Sequence, residues 1–205
     1  MRLVVYLEKV GSGTLLDIQG ELSDEAILIQ KAKEFDSEAW TQIYRHHYPK
    51  IYAYLCHRLG DIDLAEDIAA KVFLHAVEGI GSFTYRGFSL SSWLFRIAHN
   101  QVVDHLRRKA KVKTEPLTEE LLAKSGLVQE AMEEVLVRED LNLALKNITE
   151  EQRQVVLLKF FSGLSNAEVA RIIGKPEGAV KALQHRALAS LRRILEREER
   201  NGERL

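Results

Sequence analysis

The chain has 205 residues, 46% hydrophobic and 29% charged, with 12 Gly, 3 Pro, one Cys and a net charge of −1. That apolar share is enough for a buried core in one large domain or two small ones, which excludes wholesale disorder. Cys56 has no internal partner, so a disulfide-stapled secreted scaffold is excluded and a reducing compartment is expected.

Residues 1–22 stand apart as an extension. Their apolar run, Leu3 to Leu7, is shorter than the about 7–15 residues of a signal-peptide core. No stretch approaches the about 20 apolar residues of a membrane span, so a cytoplasmic chain without membrane insertion is expected. Two readings of this extension stay open. One is a pair of short strands around Gly11-Ser12-Gly13, the second strand carrying Leu15, Leu16 and Ile18; the other is an extension without regular structure.

From Asp24 a helical period takes over. Ala26, Ile27, Ile29 and Ala32 mark a first helix that ends near Phe35-Asp36. A second starts near Ser37, with Trp40, Ile43, Tyr44, Ile51 and Leu55 as its stripe and Gly60 at its end. Pro49 removes a backbone donor inside it, which predicts a kink or a break. A third helix covers 63–77, with Leu64, Ile68, Val72 and Ala76 at steps of four. Residues 79–88 hold three glycines and three aromatics and read as a loop. A fourth helix, capped by Ser89 or Ser91, buries Leu94, Ile97, Ala98, Val102 and Leu106. It turns Arg96, His99, Asn100, Asp104, Arg107 and Arg108 elsewhere.

Residues 114–138 contain Pro116 and Gly126 and have weak periodicity, as a linker would. From about residue 140 the chain reads as helical throughout. Thr149 with Gln152, and Ser165 with Glu168, fit capping boxes, and Gly163 marks a helix end between them. The last helix starts near Glu177 and frays into a charged tail at 197–205. The predicted fold is all-α: two small helical domains, 23–113 and 139–196, joined by an acidic linker.

Charge is sorted along this plan. Arg96, Arg107, Arg108, Lys109, Lys111 and Lys113 make the end of the first domain basic, and Glu115, Glu119, Glu120, Glu130, Glu133 and Glu134 make the linker acidic. Arg171, Lys175, Lys181, Arg186, Arg192 and Arg193 make the C-terminal domain basic again. Two polyanion-binding surfaces are thus separated by a segment that repels polyanions.

The sharpest pattern is a helix-turn-helix at 165–193. Gly174-Lys175-Pro176 forms its turn, Ala170 is small where two helices cross, and Val169, Ile173, Val180, Leu183 and Leu191 supply the shared core. With Val180, Leu183, Ala187 and Leu191 inward, Glu177, Lys181, Gln184 and His185 lead as base readers, and Arg186 also turns outward. Arg171 and Arg192 suit phosphates, with Lys175 in the turn between the helices. In the first domain, Phe83, Tyr85, Phe88 and Trp93 precede a helix bearing Arg96, Asn100, Arg107 and Arg108. Aromatics interleaved with cations suit unstacked bases.

The run from Trp93-Leu94-Phe95-Arg96-Ile97-Ala98-His99-Asn100 to Asp104-His105-Leu106-Arg107-Arg108-Lys109 resembles the promoter-melting region of bacterial RNA polymerase sigma factors of the extracytoplasmic-function subfamily. Asp63-Leu64-Ala65-Glu66-Asp67-Ile68, followed by Val72-Phe73-Leu74, resembles that family's core-binding helix. Leu164-Ser165-Asn166-Ala167-Glu168-Val169-Ala170, with Gly178-Ala179-Val180-Lys181 and His185-Arg186-Ala187, resembles its −35 reader. The likeness covers residues 23–195 in the family's order.

The resemblance implies a transcription initiation factor, not an enzyme, with no cofactor and no metal. Its partners would be core RNA polymerase (the clamp helices of the largest subunit, and the flap), promoter DNA and an anti-sigma factor. Glu66, Asp67, Val72 and Phe73 would face the clamp helices. Phe83, Tyr85, Trp93, Arg96, Asn100, Arg107 and Arg108 would engage the −10 element, capturing a flipped base. The acidic linker would run through the channel later used by RNA. Two departures from the family stand out: Ala69-Ala70-Lys71 replaces a polar-acidic pair, and Ala182-Leu183 stands where Ser and Arg are common. The alternative is a stand-alone helix-turn-helix regulator, which would bind duplex DNA unaided as a symmetric dimer. His46, His47, Cys56 and His57 lack the spaced pairs of a zinc site.

Overall fold

A computed structural model describes residues 15–84, 88–111 and 144–202, which fall into two compact units, 15–111 and 144–202. Among the described residues all regular structure is helical. No helix among them is long and apolar enough to cross a membrane. The acidic segment 114–138 and residues 203–205 lie outside them, as do residues 1–14.

The N-terminal unit is built from α1 (Leu15–Lys33), α2 (Ser37–Leu59), α3 (Ile62–Gly79) and α4 (Leu90–Lys111), with a single 3₁₀ turn at Ile80–Ser82. The strand reading of Leu15, Leu16 and Ile18 is corrected: these residues open α1. α1 ends in a tight turn in which Phe35 N–H bonds Ala32 O at 3.1 Å. Phe35 takes φ +59° there, a left-handed conformation that strains a bulky residue. Asp36 then caps α2 by accepting from Ala39 N–H at 2.7 Å, and the Trp40 indole N–H ties α2 back to Ala32 O at 3.1 Å. Pro49 does not break α2, which runs unbroken through it to Gly60. Asp61 caps α3 through Leu64 N–H at 3.0 Å.

The core of this unit is large and aromatic, with Tyr52, Tyr54, Leu55, Phe95, Leu94 and Ile43 fully or almost fully buried. Three α4 residues depart from the expected pattern: Ile97 is only half-buried and Leu106 exposed, whereas His99 is buried. The inward stripe of α4 is therefore Leu94, Phe95, Ala98, His99 and Val102.

The C-terminal unit contains α5 (Glu150–Val156), which passes into a π-helical turn at Leu157–Phe161, then α6 (Asn166–Ile173) and α7 (Glu177–Gly202). Both predicted capping boxes form, Thr149 with Gln152 on α5 and Ser165 with Glu168 on α6. Gly174 takes φ +67° and ends α6, and Lys175 N–H closes the turn on Ala170 O at 3.0 Å. The shared core is Val169, Ile172, Val180, Leu183, Ala187 and Leu191. Ile172 takes the buried place predicted for Ile173, which is half-exposed. α7 extends past the predicted boundary at 197 to Gly202.

Candidate nucleic-acid interface

In the C-terminal unit, the buried positions 180, 183, 187 and 191 fix the rotation of α7. At 100° per residue, the direction opposite them falls on Gly178, Ala182, His185 and Ala189, flanked by Lys181 and Arg192 on one side and Arg186 on the other. Lys181, His185, Arg186 and Arg192 are exposed, while Gln184 is half-buried at the edge of the face. Ala182 is the outward position already noted as a departure from the family, and Gly178, which carries no side chain, gives no polar signal in the sequence. Their small size in the middle of an exposed stripe leaves room for close approach, and nothing lies within 4 Å of the position a Gly178 Cβ would take.

Predicted contact residues Glu177, Lys181 and Lys175 hold intramolecular partners. Glu177 Oε1 pairs with Lys181 Nζ at 2.9 Å within α7, and Lys175 Nζ pairs with Glu151 Oε1 of α5 at 2.8 Å. Arg171 is exposed on α6.

In the N-terminal unit, Trp93, Arg96, Asn100 and Arg107 recur at steps of three, four and seven and share one stripe of α4. Arg96, Asn100, Arg107 and Arg108 are exposed, and the Arg108 guanidinium Nε–H donates to Asp104 O at 3.3 Å. Trp93 is half-buried: its ring lies 5.1 Å from that of Phe83 and against Gly79, whose Cβ would come within 3.4 Å of it. Phe83 is 6% exposed, which corrects its assignment as a base contact; it is the floor under Trp93. Tyr85 lies outside the described residues.

His99, on the buried side of the same helix, faces Tyr54, whose hydroxyl lies 3.4 Å from its Nδ1. Tyr54 also stands edge-on to Phe95, ring centroids 5.6 Å apart, and hydrogen-bonds the buried Arg58. Burial, and the nearby Arg58 cation, lower the His99 pKa to about 4, so the ring is neutral at neutral pH.

On α3, Glu66 and Asp67 are exposed, but Val72 is fully buried and Phe73 nearly so. A side chain with no exposed surface offers none to a partner, so Val72 is corrected from contact to core. Phe73 packs on Tyr44, centroids 4.9 Å apart, and on Tyr48 at 6.0 Å. The apolar residue that shares the outward face with Glu66 and Asp67 is Leu74, 56% exposed, which belongs to the quoted motif but not to the contacts predicted from it. Its signal was available: Leu74 stands one heptad after Asp67, on the same face, and Val72 one heptad after Ala65, inward; Phe73 stands one heptad after Glu66 and is buried by Tyr44 and Tyr48 of α2. Tyr44, 45% exposed, extends that apolar surface from α2. No group of three or more His, Cys, Asp or Glu among the described residues is placed to hold a metal ion. The Cys56 thiol is pushed up to about 11 by burial, against a partly opposing hydrogen bond with Tyr52, which leaves it protonated and unreactive.

Comparison with known proteins shows the family of the chain. Residues 43–112 match the family Sigma-70 region 2, and residues 138–191 match Sigma-70, region 4. The chain is 36% identical over 172 residues to BldN of Streptomyces coelicolor, an ECF RNA polymerase sigma factor; the match spans 82% of this chain and 64% of that longer protein. It is 33% identical over 178 residues to SigW of Bacillus subtilis, also an ECF RNA polymerase sigma factor, across 82% of this chain and 94% of that one. In fold it is similar to the sigma factor RpoE of Bartonella quintana, solved in complex with the anti-sigma factor NepR (TM-score 0.60, 24% identity, 76% of this chain and 96% of that one).

Proposed function

The chain belongs to the extracytoplasmic-function RNA polymerase sigma factors, transcription initiation factors, and from that premise we propose how its surfaces divide the work. The N-terminal helical unit binds core polymerase and the −10 element. The C-terminal helix-turn-helix reads the −35 element. The observation that carries this reading is the order of the two family matches, each falling on a helical unit with its own cationic face.

The α3 face with Glu66, Asp67 and Leu74 docks on the clamp helices of the largest polymerase subunit, an amphipathic surface meeting paired helices. On α4, Trp93 offers a ring for a base flipped out of the duplex, Asn100 a hydrogen-bonding group beside it, and Arg96 and Arg107 cations for the backbone. On α7, Lys181, Gln184 and His185 read base edges and Arg192 takes phosphate, while Arg171 on α6 holds the backbone across the groove. Neither site needs to be strong alone, because polymerase fixes their spacing and the second contact becomes intramolecular. The acidic stretch 114–138 joins them without adhering to DNA. The protein performs no catalysis of its own and acts in the cytoplasm, where an anti-sigma factor holds it until it is required.

Run-off transcription with purified core polymerase on a randomised promoter library tests this. Transcripts should depend on both proteins, start from one family of −35 and −10 sequences, and require one copy of this chain per polymerase. Tight binding of the chain alone to a palindromic duplex as a dimer, without affinity for core, would return the stand-alone regulator.

A further inference from the structure

Glu25 of α1 accepts a hydrogen bond on Oε1 from the backbone N–H of Leu90, 2.8 Å away and 65 residues along the chain. Leu90 is the first residue of α4, so its N–H is one of those a helix cannot satisfy from within. Ser89 fills the local cap, its Oγ accepting from Ser92 N–H at 3.1 Å. The start of α4 is therefore held twice: once by its own neighbour, and once by a carboxylate brought in by another helix. Leu90 is 1% exposed, which leaves water little access to replace the missing bond. The same turn carries Trp93, whose N–H bonds Ser89 O at 3.2 Å and whose ring rests on Phe83.

We propose that Glu25 is a positioning residue for promoter opening: it locks the first turn of α4 and, through it, the stacking face of Trp93. The proposal rests on the reading of α4 as the −10 surface. It goes beyond it, because α1 lies ahead of the 43–112 match and carries no assigned role. A carboxylate at this helix start has a second consequence. An unoccupied N-terminus attracts phosphate. With Glu25 in place, the promoter backbone is left to Arg96 and Arg107, and Trp93 is left to the base.

The test uses the full chain assembled with core polymerase. Three quantities are measured: hydrogen exchange at the Leu90 amide, closed-complex affinity, and permanganate reactivity of thymines in the −10 element. Loss of a helix cap shifts an equilibrium by about fivefold. Glu25→Ala should speed Leu90 exchange and lower the open fraction by about that factor, with closed-complex affinity unchanged. Glu25→Gln keeps an acceptor oxygen at the same reach and should restore most of the opening. Faster exchange with normal opening overturns the proposal, as does unchanged exchange, or a loss of opening matched by an equal loss of closed complex. Asn100→Ala, run alongside, separates the two layers. If it opens promoters normally, the −10 reading of α4 falls; if it fails while Glu25→Ala opens normally, only the role of Glu25 falls.

Discussion

Lys175 Nζ lies 2.8 Å from Glu151 Oε1, which ties the turn of the helix-turn-helix to the first turn of α5. The pair is partly exposed, at 34% and 56% for the two side chains, so it contributes about 0–1 kcal/mol to folding. A phosphate can therefore displace the carboxylate, but it has to compete with it. Glu151→Gln should tighten −35-dependent promoter binding several-fold, with little change in melting temperature. In a Lys175→Ala background the same substitution should gain nothing. Promoter titrations of the holoenzyme at fixed salt complete this double-mutant cycle, and additive effects would sink the competition.

The helix-turn-helix was the part most open to reading. Its turn depends on Gly174 in a conformation other residues resist, and its caps depend on Ser165 and Glu168 three apart, both local signals. What escaped detection depended on partners distant in sequence. Leu15 to Ile18 form an apolar run too short to choose between strand and helix without knowing what lies beside it. His99 reads as a polar residue for the surface until Tyr54 and Arg58, from another helix, are placed beside it. Val72 stands beside Glu66 and Asp67 in the motif, but the helical period sends it to the opposite face; Phe73 stands one heptad after Glu66 and is covered only once Tyr44 and Tyr48 of α2 are placed beside it.

On α4 the split between exposed and buried aromatics separates binding from folding. Asn100 is exposed, so Asn100→Ala should impair strand opening without lowering stability by more than about 0.5 kcal/mol. Phe83 is buried beneath Trp93, and Phe83→Ala should destabilise the unit by about 3 kcal/mol or more. Permanganate footprinting beside a urea melt measures both. Normal melting of the promoter by Asn100→Ala would remove it from the −10 surface.

The same separation applies to α3. Phe73 packs against Tyr44 and Tyr48, and Phe73→Ala should cost about 3–5 kcal/mol, so any loss of polymerase binding would follow from unfolding. Leu74→Ala and Glu66→Lys alter exposed positions and should weaken core binding about tenfold at unchanged melting temperature. Native-gel titration with core polymerase reads the first effect and circular dichroism the second. Wild-type affinity in both variants would move the docking surface off this face.

Acid should unfold the N-terminal unit through its buried imidazoles. His47 is 6% exposed and its Nδ1 has no hydrogen-bond partner among the described residues. Burial, with smaller contributions from His46 and Lys50, lowers its pKa to about 3 from an ordinary 6.5. His99 is lowered to about 4, mainly by burial. Both rings take up protons more readily unfolded than folded. Stability is therefore complete above about pH 6.5 and is lost as pH falls toward 4 and 3, by at most about 1.4 kcal/mol per pH unit for each ring. His47→Leu removes one of these protons and should make the acid slope shallower by about that amount, while stability at pH 7 stays within about 1.5 kcal/mol. Both tryptophans, Trp40 and Trp93, belong to this unit, so urea melts followed by tryptophan fluorescence at stepped pH report on it alone. A slope equal to that of the wild type would place the acid sensitivity elsewhere.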